Sequence, residues 1–246
     1  MPTETVNGAD LYYESTGDGP AIVLLHGVLM SSRFFSEQQP LSDTYQLITL
    51  DFRGHGRSEK TDTGHTLPQY ARDLEAFLDA QTLSDVVVVG WSMGSLVVWE
   101  YMRQFGTDRL QGFVSVDQQP LDLEQEGYEH GVFDFADLSG LMELTQTDPH
   151  AVAQSFVDEM LVDEPESVRQ TLFDEITRVP PPIMNAILFD QSVRDYREVV
   201  SESDVPTLVC LGEDETMVEN AGVEYVADTT PAAELERFSE SGHCPF

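Results

Sequence analysis

The sequence predicts an α/β protein: a mostly parallel, doubly wound β-sheet flanked by helices, with a helical lid inserted before the last two strands. Three observations carry this expectation. Strand-length segments recur at 21–25, 46–50, 86–89, 111–117 and 205–212, most of them largely apolar; the first and third lead into a glycine within two residues and the last ends on Gly212. Runs with no polar alternation suit strands buried on both faces of a parallel sheet. A helix-length segment with one apolar stripe (Leu67, Tyr70, Leu74, Phe77, Leu78) separates two of these runs. Residues 118–205 hold no convincing strand, but they hold helix-like segments at 149–161, 164–178 and 183–190. The core is therefore expected over 1–117 and 206–246, with the lid at 118–205.

The chain opens with a short hairpin around the Asn7-Gly8 turn, from Val6 to Glu14. The run Ala21-Ile22-Val23-Leu24-Leu25 ends in His26-Gly27-Val28, a loop that can aim a backbone N–H at the sheet edge; Val28 is the candidate donor. His26 is expected to hydrogen-bond its own loop, because the chemistry needs a backbone donor there and no second imidazole. The run Gln46–Leu50 leads into Asp51-Phe52-Arg53-Gly54-His55-Gly56-Arg57-Ser58. This loop lacks a G-K-[ST] ending and a second ligand cluster. It is expected to be fixed by internal hydrogen bonds through Asp51, Arg53 and Ser58, and no metal or cofactor is assigned.

The four valines 86–89 are followed by Gly90-Trp91-Ser92-Met93-Gly94, a G-x-S-x-G pattern, and then by a helix running to Gly106. A sharp strand-to-helix turn would hold Ser92 strained and expose its Oγ. The Met93 amide at the helix start could stabilise an oxyanion. Asp117 closes the next strand. The loop after Gly212 carries Glu213, Asp214 and Glu215, and the last strand, 233–238, leads to His243. All of these fall at the C-terminal edges of parallel strands, where active-site loops collect. A serine needs a base to take its proton, and a carboxylate to orient that base. Cys244 is expected to pack locally, and Cys210 to be a small buried hydrophobe.

Composition sets the surroundings. Lys60 is the only lysine; the other basic residues are arginines, and the net charge is −33. An acidic surface repels phosphates, which argues against nucleic acid and anionic membranes as partners. Such self-repulsion is tolerated where salt screens it, since the Debye length is about 3 Å at ~1 M. The composition resembles that of haloarchaeal cytosolic proteins, which implies a high-salt cytoplasm. Two cysteines make no disulfide framework, and no segment reads as a signal peptide or a membrane span.

Four motifs together, Leu25-His26-Gly27, 51–58, Gly90-Trp91-Ser92-Met93-Gly94 and Ser241-Gly242-His243, resemble the α/β-hydrolase superfamily, nearest its esterase, lactonase and cofactor-free haloperoxidase-like group. The resemblance implies Ser92 as nucleophile, His243 as base, and the amides of Val28 and Met93 as oxyanion hole. The family's usual acid position corresponds to Glu215, three residues after Gly212, although an aspartate is usual there and Glu219 stands where a proline follows. Some members place the acid after the preceding strand, where Asp117 stands. Asp117 is preferred, then Glu215, then Asp214. Family members continue past this histidine with a helix that covers the sheet, whereas this sequence ends at Phe246; the expectation is a chain cut short or a fold lacking that helix.

The implied function is hydrolysis of carboxylic ester or lactone bonds of small apolar substrates. Perhydrolase or haloperoxidase-type chemistry on the same acyl-enzyme is one alternative. A ligand sensor with slow turnover is another.

Overall fold

The computed structural model describes residues 2–161, 165–214 and 216–244. Eight strands form one sheet: β1 (Thr3–Val6), β2 (Ala9–Thr16), β3 (Ala21–Leu25), β4 (Gln46–Leu50), β5 (Val86–Trp91), β6 (Leu110–Val116), β7 (Thr207–Gly212) and β8 (Ala233–Phe238). Their order is β1-β2-β4-β3-β5-β6-β7-β8. β1 and β2 pair antiparallel, as do β2 and β4, and every pairing from β4 to β8 is parallel. The hairpin turns at Asn7 and Gly8, both at positive φ, as a two-residue turn requires.

The strand order reverses between β3 and β5. In open α/β sheets the crevice for a ligand lies at such a switch point, beyond the carboxyl ends of the strands. The His26 loop follows β3 and the Ser92 turn follows β5, so sheet topology alone brings these two distant motifs together.

Helix α1 (Leu67–Ala80) matches the stripe read from the sequence, and Leu67, Tyr70, Leu74, Phe77 and Leu78 are all buried. Thr66 caps it, its hydroxyl accepting from the Gln69 N–H, and Pro68 starts it. Helix α2 (Met93–Phe105) is buried from Met93 to Met102 and packs on α1 and β5. The expectation for the four valines needs correction. Val86 and Val88 are buried, but Val87 and Val89 are only half-buried. They share a face with Ile22, Val114 and Leu208, which are half-buried or exposed, whereas Val23, Phe113 and Val209 on the other face are buried. A short 3-10 segment, Ser32–Asp43, lies against β3 and β4. On β5 to β7, the face carrying Val87, Val89, Val114 and Leu208 stays half open.

Between β6 and β7 the chain forms α3 (Phe135–Thr147), α4 (Pro149–Met160), α5 (Glu166–Thr177), α6 (Pro181–Ser192) and α7 (Arg197–Glu202). They contain no strand; the only β-type contacts among their described neighbours are isolated bridges, Leu123 with Phe133 and Gln125 with Tyr128. The inserted helices are tied to the core at defined points. Asp190 on α6 accepts the Leu67 N–H at 2.8 Å, satisfying a donor at the start of α1. The hydroxyl of Tyr196 donates to the buried Glu100 on α2 at 2.9 Å. Helix α8 (Asn220–Thr229) returns the chain to β8. No described helix is long and apolar enough to cross a membrane.

Candidate active site

Ser92 sits between β5 and α2 with φ 51° and ψ −122°, a backbone conformation that side chains rarely adopt. The flanking glycines allow it. A Cβ on Gly94 would lie 2.3 Å from the Leu25 carbonyl oxygen, and one on Gly90 would lie 2.5 Å from the Ser95 nitrogen. The turn is pinned by the Ser92 N–H donating to Val116 O at 2.9 Å and by Ser95 Oγ donating to Gly90 O at 2.6 Å. Met93 opens α2, so its N–H is among the donors that a helix cannot satisfy internally.

The His26 loop lies directly against this turn. A Cβ on Gly27 would come within 3.3 Å of the Ser92 Cβ. Leu29, fully buried, also has positive φ, at 62°. Of the six non-glycine residues in that region among the described residues, three lie in the loops at this site: Leu29, Ser92 and Asp117. Strained backbone tends to gather where a site needs fixed geometry. His26 does what the sequence suggests: its Nε2 accepts the Phe52 N–H at 3.0 Å, which leaves Nδ1 to donate to Gly27 O at 2.7 Å. Burial pushes its pKa down and favours the neutral ring.

His243 is buried, and its loop is anchored to the serine turn by Trp91, whose indole N–H donates to the His243 carbonyl oxygen at 2.7 Å. Asp117 is fully buried at the end of β6, with φ 44°. Its N–H donates to Cys210 O, and its Oδ1 accepts the Gly212 N–H, both at 2.9 Å. Gly212 in turn packs on the His243 loop; a Cβ there would lie 2.2 Å from Gly242 O. A chain of contacts thus runs from Asp117 through Gly212 to the segment carrying His243. Asp214 is exposed, with its N–H donating to Ser241 O at 3.0 Å, and Glu215 lies outside the described residues. Cys210 is buried, and burial, reinforced by the charge of Asp117, pushes its thiol up to about 12.

Ser92, His243 and Val28 line one cavity of about 40 Å³. Three polar side chains that sequence reasoning missed line it too: Gln118, Asp122 and Gln191. The only local signal was the run Gln118-Gln119 immediately after Asp117; Gln191 comes from α6. Burial lifts the Asp122 carboxyl to about 7, against the lowering effects of a Gln118 hydrogen bond and of His243. An outer groove of about 780 Å³ adjoins the cavity, sharing Val132, Phe133, Phe156, Met217 and Val218 as walls.

The 51–58 loop is closed by internal hydrogen bonds. Asp51 accepts the Ser32 N–H at 2.6 Å and the Arg57 N–H at 2.7 Å, and Ser58 Oγ donates to Asp51 O at 2.6 Å. Arg53 turns instead to Asp73 on α1, in a buried two-pronged ion pair at 2.8 and 2.9 Å. The lone lysine also closes on the loop: Lys60 Nζ donates to His55 O, Gly56 O and Ser58 O at 3.0, 2.5 and 2.9 Å. Among the described residues, no group of three or more His, Cys, Asp or Glu is placed to hold a metal ion.

Comparison with known proteins agrees with this architecture. A non-heme chloroperoxidase, CPO-A1, of Kitasatospora aureofaciens is 27% identical over 249 residues, covering 97% of this chain and 90% of that protein. A bifunctional esterase/perhydrolase of Acinetobacter calcoaceticus is 31% identical over 120 residues, 47% of this chain and 44% of that one. The crystal structure of a bromoperoxidase from Bacillus anthracis superposes with a TM-score of 0.91 at 26% identity, over 96% of this chain and 89% of that one. The family model described as the alpha/beta hydrolase fold matches residues 20–246. The chain belongs to the alpha/beta hydrolase fold family.

Proposed function

We propose that the protein is a carboxylesterase-like serine hydrolase, cleaving ester or lactone bonds of small, mainly apolar substrates. The observation that supports this most is a single cavity shared by Ser92, His243 and Val28, with Ser92 on a strained turn at the start of a helix.

In this mechanism Ser92 Oγ attacks the substrate carbonyl while His243 takes its proton. The oxyanion of the tetrahedral intermediate is held by the Val28 and Met93 amides. Collapse breaks the C–O bond, and the imidazolium returns the proton to the departing alkoxide. Water then attacks the acyl-enzyme, again deprotonated by His243, and Ser92 is regenerated with release of the acid. Asp117 stabilises the imidazolium and fixes its orientation. Residues 118–205 act as the lid, and the outer groove admits the substrate. The protein works in a salt-rich cytoplasm, consistent with its net charge of −33.

The test is hydrolysis of short p-nitrophenyl esters in molar KCl. Turnover that Ser92→Ala abolishes is the expected result. A folded protein without turnover, or turnover unchanged by Ser92→Ala, overturns the proposal.

The relatives named for chloroperoxidase, bromoperoxidase and perhydrolase favour a second reading, in which hydrogen peroxide intercepts the acyl-enzyme in place of water. The products are a peracid and free Ser92. Acetate, peroxide and bromide supplied together separate the two: bromination dependent on Ser92 is expected only for the perhydrolase.

A further inference from the structure

Gln118, Asp122 and Gln191 are only 3%, 4% and 8% exposed, yet they line the cavity that holds Ser92. Their hydrogen bonds are incomplete in one direction. Gln118 Nε2 donates to Asp122 Oδ1 at 2.9 Å and to Gln119 O at 3.0 Å, which uses both of its hydrogens. Gln191 Nε2 reaches Asp122 Oδ2 only at 3.5 Å, the outer limit of such a bond. Gln191 Oε1 is buried with no hydrogen-bond partner among the described residues. Turning the amide over moves the vacancy to its NH₂ end and does not remove it. A buried polar atom in this position costs stability until a ligand or water satisfies it.

We infer that Asp122 and Gln191 form a subsite for a hydroxyl group on the substrate, close to the carbonyl that Ser92 attacks. The identification of that carbonyl rests on the hydrolase proposal above. A hydroxyl has one donor and two acceptor lone pairs. It can donate to Gln191 Oε1 while accepting from a protonated Asp122. With Asp122 ionised, the hydroxyl donates to the carboxylate and accepts from Gln191 Nε2, which leaves the Gln191 oxygen bare, so the protonated carboxyl is the form in which the hydroxyl completes the subsite. A methyl group leaves the Gln191 oxygen bare. A substrate carboxylate meets Asp122 with no Arg or Lys among the lining residues to offset it. An ammonium has donors only and suits just the ionised form.

Size narrows the class further. A cavity of about 40 Å³ compares with roughly 10–15 Å³ for one water by the same measure, so it admits a group of a few heavy atoms. The hydroxyl must lie within a short reach of the reacting carbonyl. The substrates that fit are esters or lactones of short hydroxy acids, with the rest of the molecule in the outer groove.

The test uses non-hydrolysable amides, so that binding is read apart from catalysis. Butyramide, 3-hydroxybutyramide and 3-aminobutyramide are titrated into the full chain in molar KCl and followed by NMR. The hydroxy amide is expected to bind at least ~10-fold more tightly than butyramide, and Gln191→Leu is expected to erase that ratio. Equal binding of the two by the wild type, which needs no variant, overturns the subsite and leaves only a bound water there. Tightest binding of the amino amide also overturns it, in favour of an ammonium site. A ratio unchanged in Gln191→Leu, or in Gln191→Met should the first variant not fold, does the same. Hydrolysis of p-nitrophenyl butyrate is scored separately. Preference without turnover retains the subsite and removes the hydrolase proposal; turnover without preference does the reverse.

Discussion

The indole N–H of Trp91 donates to the carbonyl oxygen of His243 at 2.7 Å, joining residues 152 positions apart in the chain. Trp91 is the last residue of β5 and immediately precedes Ser92. One hydrogen bond therefore ties the loop of the proposed base to the turn of the proposed nucleophile. Trp91→Phe keeps a ring in the same space but deletes the donor. It is expected to lower kcat about tenfold with little change in KM, and to cost ~1–2 kcal/mol of stability for the stranded carbonyl. Steady-state kinetics with a thermal melt check both.

Asp117 and Glu215 are separated by a pair of isosteric substitutions. Asp117→Asn retains an oxygen that can accept the Gly212 N–H and so keeps the fold, but it removes the charge proposed to back the imidazole. A fall in kcat of ~10³–10⁴ is expected, with near-native circular dichroism. Glu215→Gln is expected to stay within a factor of a few of the wild type. The opposite ranking transfers the acid role to Glu215.

Asp122 gives a pH dependence of stability. Its folded carboxyl titrates at about 7, against 3.8 for the ordinary group, because burial penalises the charge. The folded state thus holds the proton more tightly than the unfolded chain, and stability falls as pH rises between those two values. At about 1.4 kcal/mol per unit, the loss is on the order of 4 kcal/mol once the group is ionised. Asp122→Asn escapes it. The variant is expected to melt higher than the wild type at pH 8, and the gain is expected to shrink towards pH 4. A gain independent of pH contradicts the assignment.

Much of this was legible in the sequence because it is written in local periodicity. The stripe from Leu67 to Leu78 fixed α1, the valine run fixed β5, and G-x-S-x-G marked the turn at Ser92. Gln118, Asp122 and Gln191 were not legible. Two of them lie in irregular chain between β6 and α3, and the third meets them only because α6 packs back against α3 and α1. No spacing encodes that. The half-open face at Val87 and Val89 escaped for a related reason: four apolar residues in a row look alike whether one neighbour layer covers them or two.

The role of salt follows from charge. With a net charge of −33 and its one lysine committed to three backbone carbonyls, the protein has few free cations to offset its acids. Dilution from molar KCl into low-salt buffer is expected to unfold it, as the Debye length grows from about 3 Å towards 30 Å at 0.01 M. Far-ultraviolet circular dichroism across that range checks this; a native spectrum at low salt contradicts it.

The most direct measurement is peptide mass spectrometry of the protein quenched during turnover of p-nitrophenyl acetate in molar KCl. An acetyl group on the peptide containing Ser92, absent in Ser92→Ala and accumulating far more slowly in His243→Ala, is the expected result. Ester cleavage by folded protein with the acetyl group on another residue, or with Ser92 never modified when deacylation is slowed, would contradict it.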